Sequence, residues 1–157
     1  MSQISFENLK KLLTDKGIAF KVITHNPLFT MDDVVRELNI PEQATAKTLL
    51  VNVNGTGLFR VVLQGKARLD FRKLASILKV LKTSIHFASK DVIEKTGFTV
   101  GAIPPFGGEL PTCMDQALLN QNILYCGAGD NDKTFSLRPE NIIFLSSALV
   151  ADITKKQ

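Results

Sequence analysis

The segment 96–108, TGFTVGAIPPFGG, sets four glycines, Gly97, Gly101, Gly107 and Gly108, around the doublet Pro104-Pro105, with only small or apolar side chains between them. Its chemistry would come from the backbone. Gly97 follows an amphipathic stretch and can act as a helix stop, which leaves Gly101 and Gly107 unexplained. Glycine lets main-chain N–H donors approach a ligand with no Cβ in the way. Such donors suit the oxygen of an ester carbonyl as it becomes an oxyanion, where losing one costs about 10² to 10³ in rate. The plainer alternative is a helix stop followed by a stiff proline connection.

Lys47, in TAKTLLV, stands at the mouth of an otherwise apolar strand. Taken alone, it reads as an edge charge that deters strand-to-strand aggregation. The other reactive types are sparse. His25 and His86 have no ligand type at i, i+4 and no evident serine or cysteine partner, and Cys113 and Cys126 lack metal-ligand spacing. No catalytic metal, no cofactor and no triad is expected, and the cysteines read as buried reduced thiols.

The net charge of +4 is modest, but the segment 66–82, KARLDFRKLASILKVLK, carries Lys66, Arg68, Arg72, Lys73, Lys79 and Lys82 against the single acid Asp70. A helix face so composed can follow a phosphate backbone. It can equally be a solvated face, since basic side chains mostly sit at the surface.

The elements that must position these residues follow from periodicity. Residues 5–16 have Phe6, Leu9, Leu12 and Leu13 at helical spacing before Gly17. A strand at 19–24 leads to HNPLF, and Thr30 caps a helix with Asp32 and Asp33 in its first turn that ends near Ile40-Pro41. Two apolar strands, 46–53 and 58–64, form a hairpin around Asn54-Gly55-Thr56-Gly57. A basic helix over about 70–82, a strand at 84–88 and a helix capped by Ser89 and stopped at Gly97 come next. Beyond the glycine loop, strands are expected at 111–115, 122–128, 134–138 and 142–146. Strands grouped after helices imply an α+β fold with a mixed, largely antiparallel sheet and flanking helices.

At 157 residues and 45% apolar content, one domain over 1–157 is expected. The N-terminus lacks the pattern of a signal peptide and no apolar run approaches the roughly 20 residues of a membrane helix, so a cytoplasmic location is expected.

AKTLL at 46–50, then VVLQGKARLDFRKLA, then TGFTVGAIPPFG, in that order, resemble the YbaK / prolyl-tRNA synthetase-associated editing-domain family of aminoacyl-tRNA deacylases. The likeness runs from about HNPLFT to FSLRPENII. It implies a free-standing proofreading hydrolase that cleaves the ester joining a wrong amino acid to the 3′ end of a tRNA. In the family the lysine, here Lys47, holds the 3′-terminal region or the aminoacyl group, and the loop glycine, here Gly101, gives backbone contact at the ester. Catalysis would rest on a positioned water and the vicinal ribose hydroxyl. Substrate contacts are implied at His25, Thr30, Gly97, Pro105, Phe106, Gly107, Asp130 and Thr134, with Asp132 as a further candidate. Turn-capping is the alternative for His25, and turn residues for the two aspartates. Lys66, Arg68, Arg72 and Lys73 would face the RNA.

The cysteine-removing branch has a tyrosine before the histidine-proline segment and an aspartate in the late strand, where this chain has Ile23 and Thr134. The resemblance therefore points to alanyl, seryl or threonyl esters. The expected partner is aminoacyl-tRNA, with an aminoacyl-tRNA synthetase as an open second, and neither membrane nor DNA. A tRNA- or nucleotide-binding module without turnover, and a synthetase-associated protein, remain as other readings.

Overall fold

Apolar residues of β2 (Thr45–Val53) and β3 (Gly57–Gln64) build the centre of the sheet, joined by the expected tight turn in which Gly55 and Gly57 adopt positive φ. The computed structural model describes residues 4–28 and 30–156, so Phe29 of the HNPLFT segment lies outside the described residues. The remaining strands are β1 (Lys21–Thr24), β4 (Ile85–Phe87), β5 (Thr112–Asp115), β6 (Leu124–Gly127), β7 (Lys133–Leu137) and β8 (Leu149–Ala151). They form one sheet in the order β1-β7-β6-β2-β3-β5-β8, with β4 also pairing to β2. Antiparallel pairings join β1 to β7, β7 to β6, and β2 to both β3 and β4, while β2–β6, β3–β5 and β5–β8 are parallel. The mixed α+β architecture is the expected one.

Among the described residues five α-helices flank the sheet: α1 (Phe6–Asp15), α2 (Met31–Leu38), α3 (Phe71–Leu78), α4 (Lys90–Lys95) and α5 (Pro139–Ser146). Four have the N-caps their sequences offer. Ser5, Thr30 and Ser89 accept from Asn8 N, Asp33 N and Val92 N, and Asp70 accepts from both Arg72 N and Lys73 N. Substituting such a cap costs about 1 kcal/mol.

Alternation along β2 and β3 sorts the core onto two faces. On one, Phe6, Leu9 and Leu13 of α1 pack with Val62, Phe106 and Phe135; on the other, Val51, Val61 and Leu63 meet Leu74 and Ala75 of α3. Each Val, Leu or Phe side chain among them contributes about 1.5–3 kcal/mol when fully buried.

Two expectations need correction, and one strand was not expected. Residues 142–146 are helix rather than strand, because Pro139 stands at the first turn of α5 with Glu140 beside it, the arrangement that starts a helix. The basic helix stops at Leu78 rather than near 82, since Lys79 turns left-handed at φ 59 and Val80 N closes back onto the Ala75 carbonyl. β8 had no counterpart in the sequence reading; it is three residues long, too short for a clear alternation.

One feature of the topology opens the site. β2 meets β6 only at Thr45–Ala46 and β4 only at Val51–Val53, so among the described residues no strand covers the edge of β2 between them. Leu50 offers its carbonyl there to Ala88 N. By alternation the main-chain polar groups of Thr48 point to the same uncovered edge.

Candidate active site

A cleft follows that uncovered edge. Its inner part is a recess of about 60 Å³ whose lining includes His25, Gly101, Gly127, Asp130, Asn131 and Thr134. Its outer part is a groove of about 410 Å³ lined by Thr30, Lys47, Thr48, Phe87 and Val100 among others. Leu28, Met31, Ala46, Gly101 and Gly127 belong to both, so the two are continuous. A larger hollow of about 580 Å³ lies elsewhere, between Ile4, the end of α4 and residues 108–110, and contains none of the candidate catalytic residues.

Gly101 enters this cleft through a tight turn. Ala102 N donates to the Thr99 carbonyl at 3.0 Å, and Gly101 occupies the third position at φ 86. That position of such a turn demands positive φ, which selects glycine. The closing bond uses Ala102 N, so the Gly101 N–H is not spent on the turn. A Cβ at Gly101 would come 3.4 Å from Asn131 Oδ1 across the recess.

The loop beyond the turn is held by Arg60, a residue of β3 that is 1% exposed. Its Nε donates to Thr112 Oγ1 at 3.0 Å, and its Nη1 donates to the carbonyls of Pro104 and Gly107 at 3.2 and 2.9 Å. Burial pushes its pKa down from 12.5 to about 10, which still leaves it charged at neutral pH. A cation inside an apolar strand, LFRVVLQ, was the sequence signal for this anchor.

Lys47 is half-buried at the groove, and among the described residues no carboxylate pairs with its ammonium. Desolvation, then the positive charge of Arg68, lowers its pKa from the usual 10.5. His25 and Thr134 meet across the recess. His25 Nδ1 lies 2.7 Å from the Asn26 carbonyl, which can only accept, so Nδ1 carries a proton. In the neutral ring Nε2, 2.8 Å from Thr134 Oγ1, then accepts from the threonine hydroxyl. Among the described residues, two buried side-chain oxygens, Thr48 Oγ1 and Asn131 Oδ1, have no partner. Leaving such a group unsatisfied costs about 1–3 kcal/mol, and both stand in the walls of the cleft. Neither had been singled out from the sequence: each is an ordinary turn or strand residue until the cleft is seen.

Except for Thr30, the other sequence candidates fall outside the cleft lining. Phe106 is fully buried against Phe135, ring centroids 6.0 Å apart, and serves the core rather than a ligand. Gly107 packs on α1, where a Cβ would come 2.5 Å from Leu9 Cδ2, and its carbonyl holds Arg60. Pro105 is buried, and Gly97 at φ 92 is the stop of α4. Thr30 lines the groove while its hydroxyl caps α2. Asp132 offers its carbonyl to His25 N, and its carboxylate lies 3.3 Å from Lys133 Nζ. In the basic segment Lys66 pairs with Asp32 and Glu42, and Lys73 with Asp152 and the Thr154 carbonyl. Arg68 and Arg72 are exposed, with no ion pair among the described residues.

The model of the aminoacyl-tRNA editing domain family matches residues 25–145. The chain is 28% identical over 103 residues to a proline–tRNA ligase of Sulfurihydrogenibium sp., covering 66% of this chain but only 18% of the ligase. It is 30% identical over 129 residues to a candidate Cys-tRNA(Pro)/Cys-tRNA(Cys) deacylase, EbsC, of Enterococcus faecalis, covering 80% of this chain and 77% of that one. A multifunctional Ser/Thr-tRNA deacylase, ProXp-y, of Escherichia coli K12 is 30% identical over 106 residues, 66% of this chain and 63% of the relative. In fold, the chain superposes on a candidate trans-editing enzyme for prolyl-tRNA synthetase with a TM-score of 0.84, at 24% identity, covering 96% and 97% of the two chains. The chain belongs to the aminoacyl-tRNA editing domain family.

Proposed function

We propose that this protein hydrolyses the ester of mischarged tRNA as a trans-editing deacylase, acting on small aminoacyl groups: seryl, threonyl and alanyl. The observation that carries the reading is the continuity of the Lys47 groove with the Gly101 recess. A binding surface elsewhere on the fold would need no such continuity. The terminal ribose lies in the groove beside Lys47, the amino-acid side chain enters the recess, and the Gly101 N–H faces the ester oxygen.

Water attacks the carbonyl carbon, the bond from that carbon to the ribose oxygen breaks, and the water proton reaches the departing oxygen through the vicinal ribose hydroxyl. The protein supplies position and a donor for the developing oxyanion. His25 holds Thr134 in place rather than acting as the base, because its two ring nitrogens are engaged by Asn26 and Thr134.

The amino-acid preference rests on the recess. Its volume of about 60 Å³ suits a side chain of one to three heavy atoms, and the unpartnered Asn131 Oδ1 offers an acceptor to a substrate hydroxyl. A synthetase pocket separates amino acids differing by one methylene by only about 1–3 kcal/mol, which is the deficit that editing corrects.

The test is release of labelled amino acid from Ala-, Ser-, Thr-, Cys- and Pro-charged tRNA. Wild type should release the seryl, threonyl and alanyl esters, and Lys47→Ala should lose that release while melting as a folded protein. Turnover of the prolyl or cysteinyl ester alone would overturn the preference; turnover of none, with tRNA binding intact, would overturn the enzyme.

A further inference from the structure

Phe87 pairs with Val51 in the β2–β4 ladder, and cross-strand partners place their side chains on the same face of a sheet. Alternation along β2 puts Lys47 and Leu49 on that face as well. Phe87 and Lys47 therefore stand along one wall of the groove, with Val100, 40% exposed, contributed by the loop segment. Phe71, at the first turn of α3, meets the Phe87 ring edge-on, centroids 5.1 Å apart and planes at 76°. That contact fixes the ring, yet Phe87 remains 56% exposed. A single exposed apolar side chain is ordinary; a braced aromatic ring in the same continuous groove as an unpaired cation calls for an occupant. Arg68 is close enough to repel the Lys47 charge and has no ion pair among the described residues, so a second cation stands near Lys47.

We propose that Phe87 is a stacking platform for an unpaired nucleobase at the 3′ end of the bound tRNA, with Lys47 and Arg68 facing the adjoining phosphates. The occupant is taken from the aminoacyl-tRNA reading above, on which this proposal rests. Base stacking on an aromatic face tolerates any base and is reinforced by flanking positive charge. An apolar protein segment would gain nothing from the two cations, which would have to be desolvated against it.

The chain contains no tryptophan, so Phe87→Trp introduces a single indole at the platform. Its fluorescence should be quenched on titration with a single-stranded RNA ending in CCA, and not with the same RNA made abasic over its last three residues. Phe87→Ala should weaken that RNA roughly 5- to 150-fold, the range for losing one base stack. Phe87→Tyr should restore it, and in deacylation assays the alanine effect should fall in KM rather than kcat. Thermal melts establish that each variant is folded.

An unquenched indole together with unchanged RNA affinity in Phe87→Ala overturns the platform. If wild type still releases amino acid from charged tRNA in the same preparations, the deacylase reading survives that failure. Conversely, quenching by the CCA-ended RNA with no ester released from any charged tRNA sustains the platform and overturns the deacylase. Unchanged RNA affinity in Phe87→Ala alongside lost binding to prolyl-tRNA synthetase reassigns the ring to a protein contact and also overturns the platform.

Discussion

Lys47 carries its charge into a half-buried position on the uncovered edge of β2, so burial first and Arg68 second disfavour its protonated form. If the ammonium holds the substrate, activity should fall as pH rises through a value below 10.5, the ordinary lysine value. The contribution to stability has the opposite sign. Between the depressed folded-state pKa and 10.5 the unfolded chain binds more protons at this residue, so its share of folding stability rises with pH. A profile of kcat/KM against pH, corrected for uncatalysed ester hydrolysis, should show the alkaline limb below 10.5. Arg68→Gln should move that limb upward by removing the repulsion; a limb that does not move separates the limb from Lys47.

At the scale of elements, Arg60 ties β3 to the proline loop, and the loop in turn carries Gly101. Arg60→Met keeps an unbranched side chain in the space but leaves the Pro104 and Gly107 carbonyls facing an apolar side chain. We expect a loss of about 1–3 kcal/mol from the abandoned acceptors, hence a fall in Tm of roughly 2–12 °C for a chain of this size. Deacylation should fall further than stability explains, because the turn at Thr99–Ala102 loses its support; thermal denaturation and single-turnover release on the same variant separate the two. This anchoring also shows what the sequence could and could not disclose. Gly101 was legible because a glycine unexplained by a helix stop invites a backbone reason, and the hairpin and caps were legible because their signals are local. Phe106 was misread because an aromatic residue in a glycine loop looks available, whereas burial against Phe135 depends on where α1 and β7 fall. The helix at 139–146 lost to a strand reading because its apolar run outweighed the proline that starts it. Asn131, Thr48 and Phe87 acquire meaning only from the gap between β6 and β4, which arises from pairing between segments far apart in the chain.

For the whole molecule, an excess of positive charge does not by itself define an RNA-facing surface, because the fold spends some of it internally. Lys66 is engaged by Asp32 and Glu42, and Lys73 by Asp152 and the Thr154 carbonyl, whereas Arg68 and Arg72 meet no carboxylate among the described residues. Neutralising phosphates releases counterions, so each effective contact adds a near-unit increment to the slope of log affinity against log salt, slightly less for single-stranded RNA. An arginine exposed to solvent can give that contact without first breaking a pairing; Lys66 and Lys73 would surrender a carboxylate to give it. Arg68→Gln and Arg72→Gln should each reduce the salt slope of tRNA binding by roughly one, while Lys66→Gln and Lys73→Gln should leave it nearly unchanged. Binding isotherms of the four variants over a salt series decide the matter. Equal loss of slope in all four would mean that tRNA displaces the ion pairs and that the basic segment acts as a uniform field; loss confined to the arginines would place the RNA along the side of the sheet where the groove opens.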